Sequence, residues 1–325
     1  MCTSLTLGTQ DFYFGRNLDL EYNFGQQVVI TPRRYPLAFR KAEGVDSHCA
    51  LIGMAAVRED YPLYAEAANE KGLCVAGLNF PDNAYYSPET DPEKANISPF
   101  ELPLWLLGQC ADLKEARALL ARTHLMAVDF SKDMPLSPLH WHIADASGSL
   151  TLEVTREGMR VYDNPVGVLT NNPPFDFHLE NLRQYLNLTP LMPENRFHGS
   201  LSLTPFGRGM GCIGLPGDSS PASRFVRAAF LKWNSACDPE EMSSVSHFFH
   251  LLDAAAMTKG SVEAPGGHWE FTQYACCINA SRGVYYYKTY GNNQITAVDM
   301  HRENLNSGAL KRYPLTIEQQ IRRQN

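Results

Sequence analysis

The second residue of the chain is a cysteine, and its position offers chemistry that the other seven cysteines lack. Once Met1 is removed, Cys2 carries a thiol and a free α-amine on the same residue. An α-amine has a pKa of about 7.7–8.0. It therefore serves as a base near neutral pH, beside its own nucleophile, as N-terminal amines do for threonine nucleophiles. Gly15-Arg16-Asn17-Leu18-Asp19 follows after a short turn, on the expected partner strand. Arg16 beside a thiol favours the thiolate. Asp19 is an acceptor suited to orienting the α-ammonium. Strand alternation puts Arg16 and Leu18 on one face and Asn17 and Asp19 on the other. On that pattern both charges reach the thiol's face only if a bulge re-aims one of them.

The remaining candidates carry less. His140 and His142 flank Trp141 and share a strand face, while His247 and His250 share a helix face. With no HExxH and no acidic third ligand, a metal-dependent hydrolase built on His140, His142 and His247 is a distant alternative. A non-catalytic binding protein is the alternative from a third class. Gly209-Met210-Gly211-Cys212-Ile213-Gly214 matches GxGxxG but follows no strand and opens no helix, so it is read as a loop. No GxSxG occurs.

These residues need a scaffold. Five β-like runs fill the first eighty residues: Thr3 to Leu7, Phe12 to Phe14, Gln27 to Thr31, Ala50 to Val57 and Leu73 to Leu78. Ser98-Pro99-Phe100-Glu101 and Asp112 with Glu115 are capping boxes, and they announce helices over 102–107 and 112–122. Strands are expected over 139–144, 149–155, 159–162 and 166–169, and a helix over 177–186. Helices over 220–233 and 240–257 precede strands over 271–279, 283–290 and 294–299. Strands and helices come in blocks rather than in βαβ alternation, which argues for an α+β fold with mainly antiparallel sheets. An α/β/β/α layering is the simplest way to cover both outer sheet faces. Residues 189 to 222 are rich in Gly, Pro and Ser and too long for an idle loop, so function or assembly is expected there.

Composition bounds the rest. The chain has 325 residues with 28 basic and 35 acidic side chains, a net charge of −7. That balance argues against a nucleic-acid or anionic-membrane partner. The cysteines are scattered with no CxxC pair, as expected of free thiols in a reducing cytoplasm. No signal peptide and no apolar run near ~20 residues is visible, so a cytoplasmic protein is expected.

Taken in order, several motifs resemble the choloylglycine hydrolase family, which holds bile salt hydrolases and penicillin V acylases. They are Met1-Cys2-Thr3, Phe14-Gly15-Arg16-Asn17-Leu18-Asp19, Asn69-Glu70-Lys71-Gly72-Leu73, Gly77-Leu78-Asn79-Phe80-Pro81, Leu169-Thr170-Asn171-Asn172-Pro173 and Pro221-Ala222-Ser223-Arg224-Phe225. The resemblance spans nearly the whole chain. It implies the N-terminal-nucleophile hydrolase αββα sandwich as one domain over 2–325, with Met1 removed. Cys2 resembles the nucleophile, and Arg16 and Asp19 its neighbours. Asn171 resembles an oxyanion donor, Asn79 a substrate and oxyanion contact, and Arg224 a further charged residue of the site. Asparagine at 79 is similar to bile salt hydrolases, where penicillin V acylases typically have tyrosine. Conjugated bile salts are the implied substrate, with penicillin V or N-acyl homoserine lactones as the alternative. Arg16, Leu18, Asn79, Phe130 and Met134 are the implied substrate contacts, the last two in a loop over 125–138. No metal or cofactor is implied. A homotetramer is, with 189–222 resembling the assembly loop.

Overall fold

The computed structural model describes Met1–Asn325. The first strands are β1 (Cys2–Gly8), β2 (Phe12–Leu20), β3 (Gln27–Thr31), β4 (Leu51–Arg58), β5 (Tyr61–Asn69), β6 (Cys74–Asn79) and β7 (Ala95–Ile97). Helices α1 (Leu102–Gln109) and α2 (Leu113–Ala121) follow, then β8 (Thr123–Leu125), β9 (Leu139–Asp145), β10 (Gly148–Thr155), β11 (Gly158–Asp163) and β12 (Val168–Leu169). The last third holds α3 (Phe175–Leu182), α4 (Pro221–Asn234), α5 (Glu241–Asp253), β13 (Val262–Ala264), β14 (His268–Asn279), β15 (Val284–Thr289), β16 (Asn292–Asp299) and β17 (Lys311–Pro314).

Two large antiparallel sheets form the centre. One has the order β12-β1-β2-β14-β15-β16, with β13 also paired to β14; the other runs β11-β10-β9-β6-β5-β4-β3-β17. Helices α4 and α5 pack on the first sheet, and α1 and α2 on the second. The expected α/β/β/α sandwich is therefore the observed fold. Its larger core joins both sheets with α4 and α5, through residues such as Phe14, Ile52, Phe225 and Phe248. The second core seals α1 and α2 onto the other sheet with Leu104, Leu107, Leu120 and Trp141.

The helix signals read correctly where caps exist. Asp112 accepts the Glu115 N–H at 2.8 Å, and Ser98 and Glu101 form the reciprocal capping box. Strand β5 is the main element missing from the expectation. Its sequence, Tyr-Pro-Leu-Tyr-Ala-Glu-Ala-Ala-Asn, has little β propensity. Of its three alanines only Ala67 belongs to the core under α1, while Ala65 and Ala68 pack into the core between the sheets, so burial on both faces makes it a strand. The short strands β7, β8, β13 and β17 are also unannounced, and the strand expected at 166–169 shrinks to Val168–Leu169. The helix expected at 177–186 begins at Phe175 and ends in a 3₁₀ turn over Arg183–Tyr185, and α5 stops at Asp253 rather than 257. The loop before α4 holds only one 3₁₀ turn, Met210–Cys212, and carries the GxGxxG match.

Strand β2 depends on one close approach. A Cβ on Gly15 would lie 2.0 Å from the Cys276 carbonyl oxygen of β14. Neither backbone has room to move without displacing Arg16, the next residue. Gly15→Ala is expected to cost about 1–3 kcal/mol of stability by overpacking. Urea denaturation checks this, and an unchanged midpoint would contradict the packing.

Candidate active site

Strand β1 lies between β12 and β2, so every residue from Cys2 to Leu7 is buried. Cys2 pairs with Leu18, Thr3 with Asn17 and Ser4 with Arg16. One face of this ribbon points between the sheets: Ser4 Oγ meets His142 Nδ1 of β9 at 2.9 Å, and Arg16 reaches β5 and β6. The other face points to the helices, where Asn17 Nδ2 donates to the Leu252 carbonyl of α5 at 2.7 Å.

The two charges expected beside Cys2 thus sit on opposite sides of it. Arg16 is fully enclosed on the inner side. Its Nη1 donates to the carbonyls of Gly77 and, at 3.4 Å, Ala65, and its Nε to that of Asn17 at 3.4 Å. Burial works against its charge, but Cys2, Tyr274 and Glu66 outweigh this and hold its pKa above the usual value. Asp19 is on the helix side. Thr272 donates its hydroxyl to Asp19 Oδ1 at 2.6 Å, while Oδ2 is buried without a partner. Burial raises the Asp19 pKa, against the pull of Arg224 and the amino terminus. Asp19 need not share the thiol's face, because the α-amine lies in the plane of the sheet. The bulge is in β14 instead, where the register against β2 skips Gln273. It sends Thr272 outward to Asp19 and Tyr274 inward.

Arg224 and Asn171 close the helix side. Arg224 is enclosed on α4 and donates to the Cys2 carbonyl, to Thr3 Oγ1 at 2.6 Å, to Asn171 Oδ1 at 2.7 Å and to the Ser219 carbonyl at 2.9 Å. Burial lowers its pKa, which Asp19 and Cys2 partly restore. Asn171 Oδ1 also accepts the Cys2 N–H at 2.8 Å. Two donors on that oxygen fix the amide orientation. Asn171 Nδ2 then donates to the Asn79 carbonyl at 2.7 Å, and its second hydrogen is left over. Asn79 ends β6, and its half-buried side chain makes no hydrogen bond within the protein. Met1 still precedes Cys2 here: its ammonium donates to the Asp19 carbonyl at 2.8 Å and meets the Glu270 carboxylate, and its carbonyl accepts the Asp19 N–H at 3.0 Å.

Cys2, Arg16, Leu18, Asp19, Asn79, Asn171 and Arg224 are therefore brought together. Phe130 and Met134 are not part of that cluster. The Phe130 ring packs on Phe100 at 5.3 Å and Tyr61 at 5.9 Å, under Arg40. Met134 turns back onto the Ser131 carbonyl at 3.1 Å. The histidines do not converge on a metal either, and no group of three His, Cys, Asp or Glu side chains has that geometry. His140 bridges Glu153 and the Thr170 carbonyl and stacks on Phe80 at 4.3 Å; His247 binds Ser235 on the far side of α5. His140 and His178 instead hold the main chain of 170–171, the latter through the Asn171 carbonyl at 2.9 Å. Glu66, close to Arg16, was not singled out from the sequence. Its one signal is a lone charge inside the run Ala65-Glu66-Ala67-Ala68.

A cysteine at position 2, opening the first strand of an αββα sandwich, places the chain in the class of N-terminal-nucleophile hydrolases. Residues 2–313 match the family model of linear amide C–N hydrolases, choloylglycine hydrolase family. The chain belongs to the choloylglycine hydrolase family and is an enzyme, a linear amide C–N hydrolase. It is 49% identical over 320 residues to the bile salt hydrolase/transferase of Lactiplantibacillus plantarum, covering 98% of each chain. Its fold is similar to a crystal structure of conjugated bile acid hydrolase from Clostridium perfringens, at TM-score 0.93 and 38% identity with both chains fully covered. Penicillin V acylase from Agrobacterium tumefaciens shares the fold alone, at TM-score 0.76 and 18% identity over 98% of this chain and 94% of that one.

Burial beside the site has a consequence for pH. Desolvation lowers the pKa of His142 to about 3 and that of His178 to about 4. Both stay neutral in the folded chain at pH 5, whereas the unfolded chain protonates them below about 6.5. Their folded pKa values are depressed, so stability is complete above pH ~6.5 and falls with pH, by up to about 1.4 kcal/mol per unit per histidine. Urea unfolding at pH 7 and pH 5 should show this loss, and His142→Gln should remove part of it. A loss identical in the variant would contradict the assignment.

Proposed function

We propose that the enzyme hydrolyses the amide bond of glycine- and taurine-conjugated bile salts, releasing free bile acid and the amino acid. The observation that carries the reading is the cluster of Arg16, Asp19, Asn171 and Arg224 around Cys2. The substrate class comes from the printed names of relatives that match almost end to end. Asparagine rather than tyrosine at 79 favours it over penicillin V or N-acyl homoserine lactone acylation.

The chemistry starts when Met1 is removed. The Cys2 N–H held by Asn171 Oδ1 becomes an α-amine, and the unpartnered Asp19 Oδ2 is the carboxylate nearest in role to receive its ammonium form. Cys2 Sγ attacks the amide carbonyl while the α-amine takes the thiol proton. The left-over Asn171 Nδ2 hydrogen and the free Asn79 amide supply the oxyanion donors. Collapse breaks the C–N bond, the ammonium protonates the departing amine, and a thioester remains. Water then adds to the thioester, giving the bile acid and restoring the thiol. No step draws on a cofactor. Arg224 positions the pair by holding the Cys2 main chain and Asn171 together. Leu18, beside Cys2, and Phe130 and Met134 on the 125–138 loop are proposed to face the steroid. The relative's name also includes transferase activity. The same thioester would serve it, with an amine replacing water.

The chain is proposed to act as one domain over 2–325 and as a cytoplasmic homotetramer, without nucleic-acid or membrane partners. No helix is long and apolar enough to cross a membrane. All eight cysteines are free, as suits a reducing compartment. Residues 189–222 present Phe197 at 80% and Phe206 at 91% exposure, which supports assembly through that loop.

Glycocholate, taurocholate, penicillin V and an N-acyl homoserine lactone assayed side by side test the substrate. The highest kcat/KM is expected on a conjugated bile salt, and a preference for penicillin V would sink the reading. Cys2→Ala should abolish turnover. Asn171→Ala should lower kcat by about 10²–10³, the usual effect of losing an oxyanion donor.

A further inference from the structure

Beneath Arg16 lies a carboxylate that the reaction above does not use. Glu66 stands in the middle of β5, fully enclosed between the two sheets. An isolated carboxylate there would cost several kcal/mol, so its surroundings must replace the lost water. They do so with donors. Glu66 Oε1 accepts the Tyr285 hydroxyl at 2.6 Å and the Cys276 thiol at 3.6 Å. Oε2 accepts the Tyr274 hydroxyl at 2.8 Å and lies 3.8 Å from Arg16 Nη1. Burial drives the pKa values of Tyr274, Tyr285 and Cys276 well above their usual ranges, so all three stay neutral and keep their protons to donate. Burial also raises the Glu66 pKa, while Arg16, Tyr285 and Tyr274 pull it down. A carboxyl that meets only donors is arranged as the anion.

Two β-bulges, one in each sheet, create this meeting. In β14 the register skips between Thr272 and Tyr274, which turns Tyr274 inward. Between β4 and β5 it skips between Met54 and Ala55, leaving Ala65 unpaired beside Glu66. The freed Ala65 carbonyl accepts from Arg16 Nη1 at 3.4 Å. Gly53 makes room, since a Cβ there would lie 2.1 Å from the Glu66 carbonyl oxygen. Bulges of this kind re-aim side chains near functional sites. Arg16 is thereby held along Nε and Nη1, and its Nη2 makes no hydrogen bond within the protein. Glu66 is the one carboxylate in ion-pair contact with it.

We propose that Glu66 is a positioning residue of the reaction: held by Tyr274 and Tyr285 of the facing sheet, its carboxylate anchors Arg16 and offsets its charge beneath Cys2. Glu66 touches no substrate. It acts through Arg16, by setting how strongly that cation favours the thiolate. The inference rests on Cys2 being the nucleophile.

The groups that bear on the thiol are few. Arg16 of β2, Arg224 of α4 and the amino terminus act on Cys2 directly, while Asp19 of β2, Glu66 of β5, Tyr274 and Cys276 of β14 and Tyr285 of β15 act on those three groups or on one another. The pH dependence of Cys2 alkylation by iodoacetamide reads their sum, followed by the mass of the N-terminal peptide of the mature enzyme. Glu66→Gln leaves Arg16 without its counter-charge, so the alkylation limb is expected to move down by about one pH unit. A thiolate of lower pKa is a weaker nucleophile, so kcat per titratable Cys2 should fall about threefold with little change in KM. Tyr274→Phe/Tyr285→Phe removes two hydrogen bonds that stabilise the carboxylate, raises its pKa further and should move the limb the same way. This pair carries the test if Glu66→Gln does not fold. A lower melting temperature with an unmoved limb makes Glu66 purely structural and overturns the proposal. Failure of the functional reading is a separate result, read from turnover in Cys2→Ala. The alkylation profile still reports on the Arg16–Glu66 pair in that case.

Discussion

The site is organised around a guanidinium with no access to water. Arg224 gives up its hydration entirely and regains it from the Ser219 carbonyl, the Cys2 carbonyl, Thr3 Oγ1 and Asn171 Oδ1. A buried cation tolerates few alternatives, because an unpaired donor in that environment costs more than an ordinary hydrogen bond contributes. The constraint therefore runs both ways. Arg224 is held by the chain around it, and it holds α4, the first strand and the Thr170–Asn171 segment in one arrangement. Residues 222 positions apart in sequence meet at a single nitrogen.

The sandwich is what permits a second buried arginine. In a sheet with one wet face, every other residue of β2 would reach solvent. Here both faces of β1 and β2 are covered, one by the partner sheet and one by α4 and α5. Arg16 and Asp19 can then flank the same cysteine from opposite sides without breaking the alternation of their strand. The irregularities appear in neighbouring strands, where bulges bring Thr272, Tyr274 and Glu66 to the two charges. Electrostatics follows the same plan. The chain carries −7 overall, yet the enclosed charges near Cys2 alternate, with Arg16 and Arg224 set against Glu66 and Asp19. The net charge describes the surface and leaves an anionic substrate unopposed locally.

Much of the fold was legible where local chemistry decided it. The capping box at Ser98 and the N-cap at Asp112 located α1 and α2, and apolar alternation located most strands. Strand β5 was illegible because its alanines answer to burial on both faces, Ala67 under α1 and Ala65 and Ala68 between the sheets, and not to β propensity. In the site, Cys2, Arg16, Asp19, Asn79, Asn171 and Arg224 were all legible as motif positions. Phe130 was legible only as an apolar loop residue, and it packs with Tyr61 and Phe100.

The sequence by itself determined the chemistry available: a thiol beside what becomes an α-amine, two arginines, two amides and a carboxylate, on elements whose block order calls for layered sheets. Only the tertiary structure decided how those groups face one another. Asn171 turns its oxygen to Cys2 because Arg224 occupies the same oxygen, and Arg16 keeps its charge despite burial because Cys2, Tyr274 and Glu66 lie around it. These choices depend on burial and on distances between segments far apart in the chain. Local pattern carries no information on either, since desolvation acts on a group only once the whole fold has closed over it.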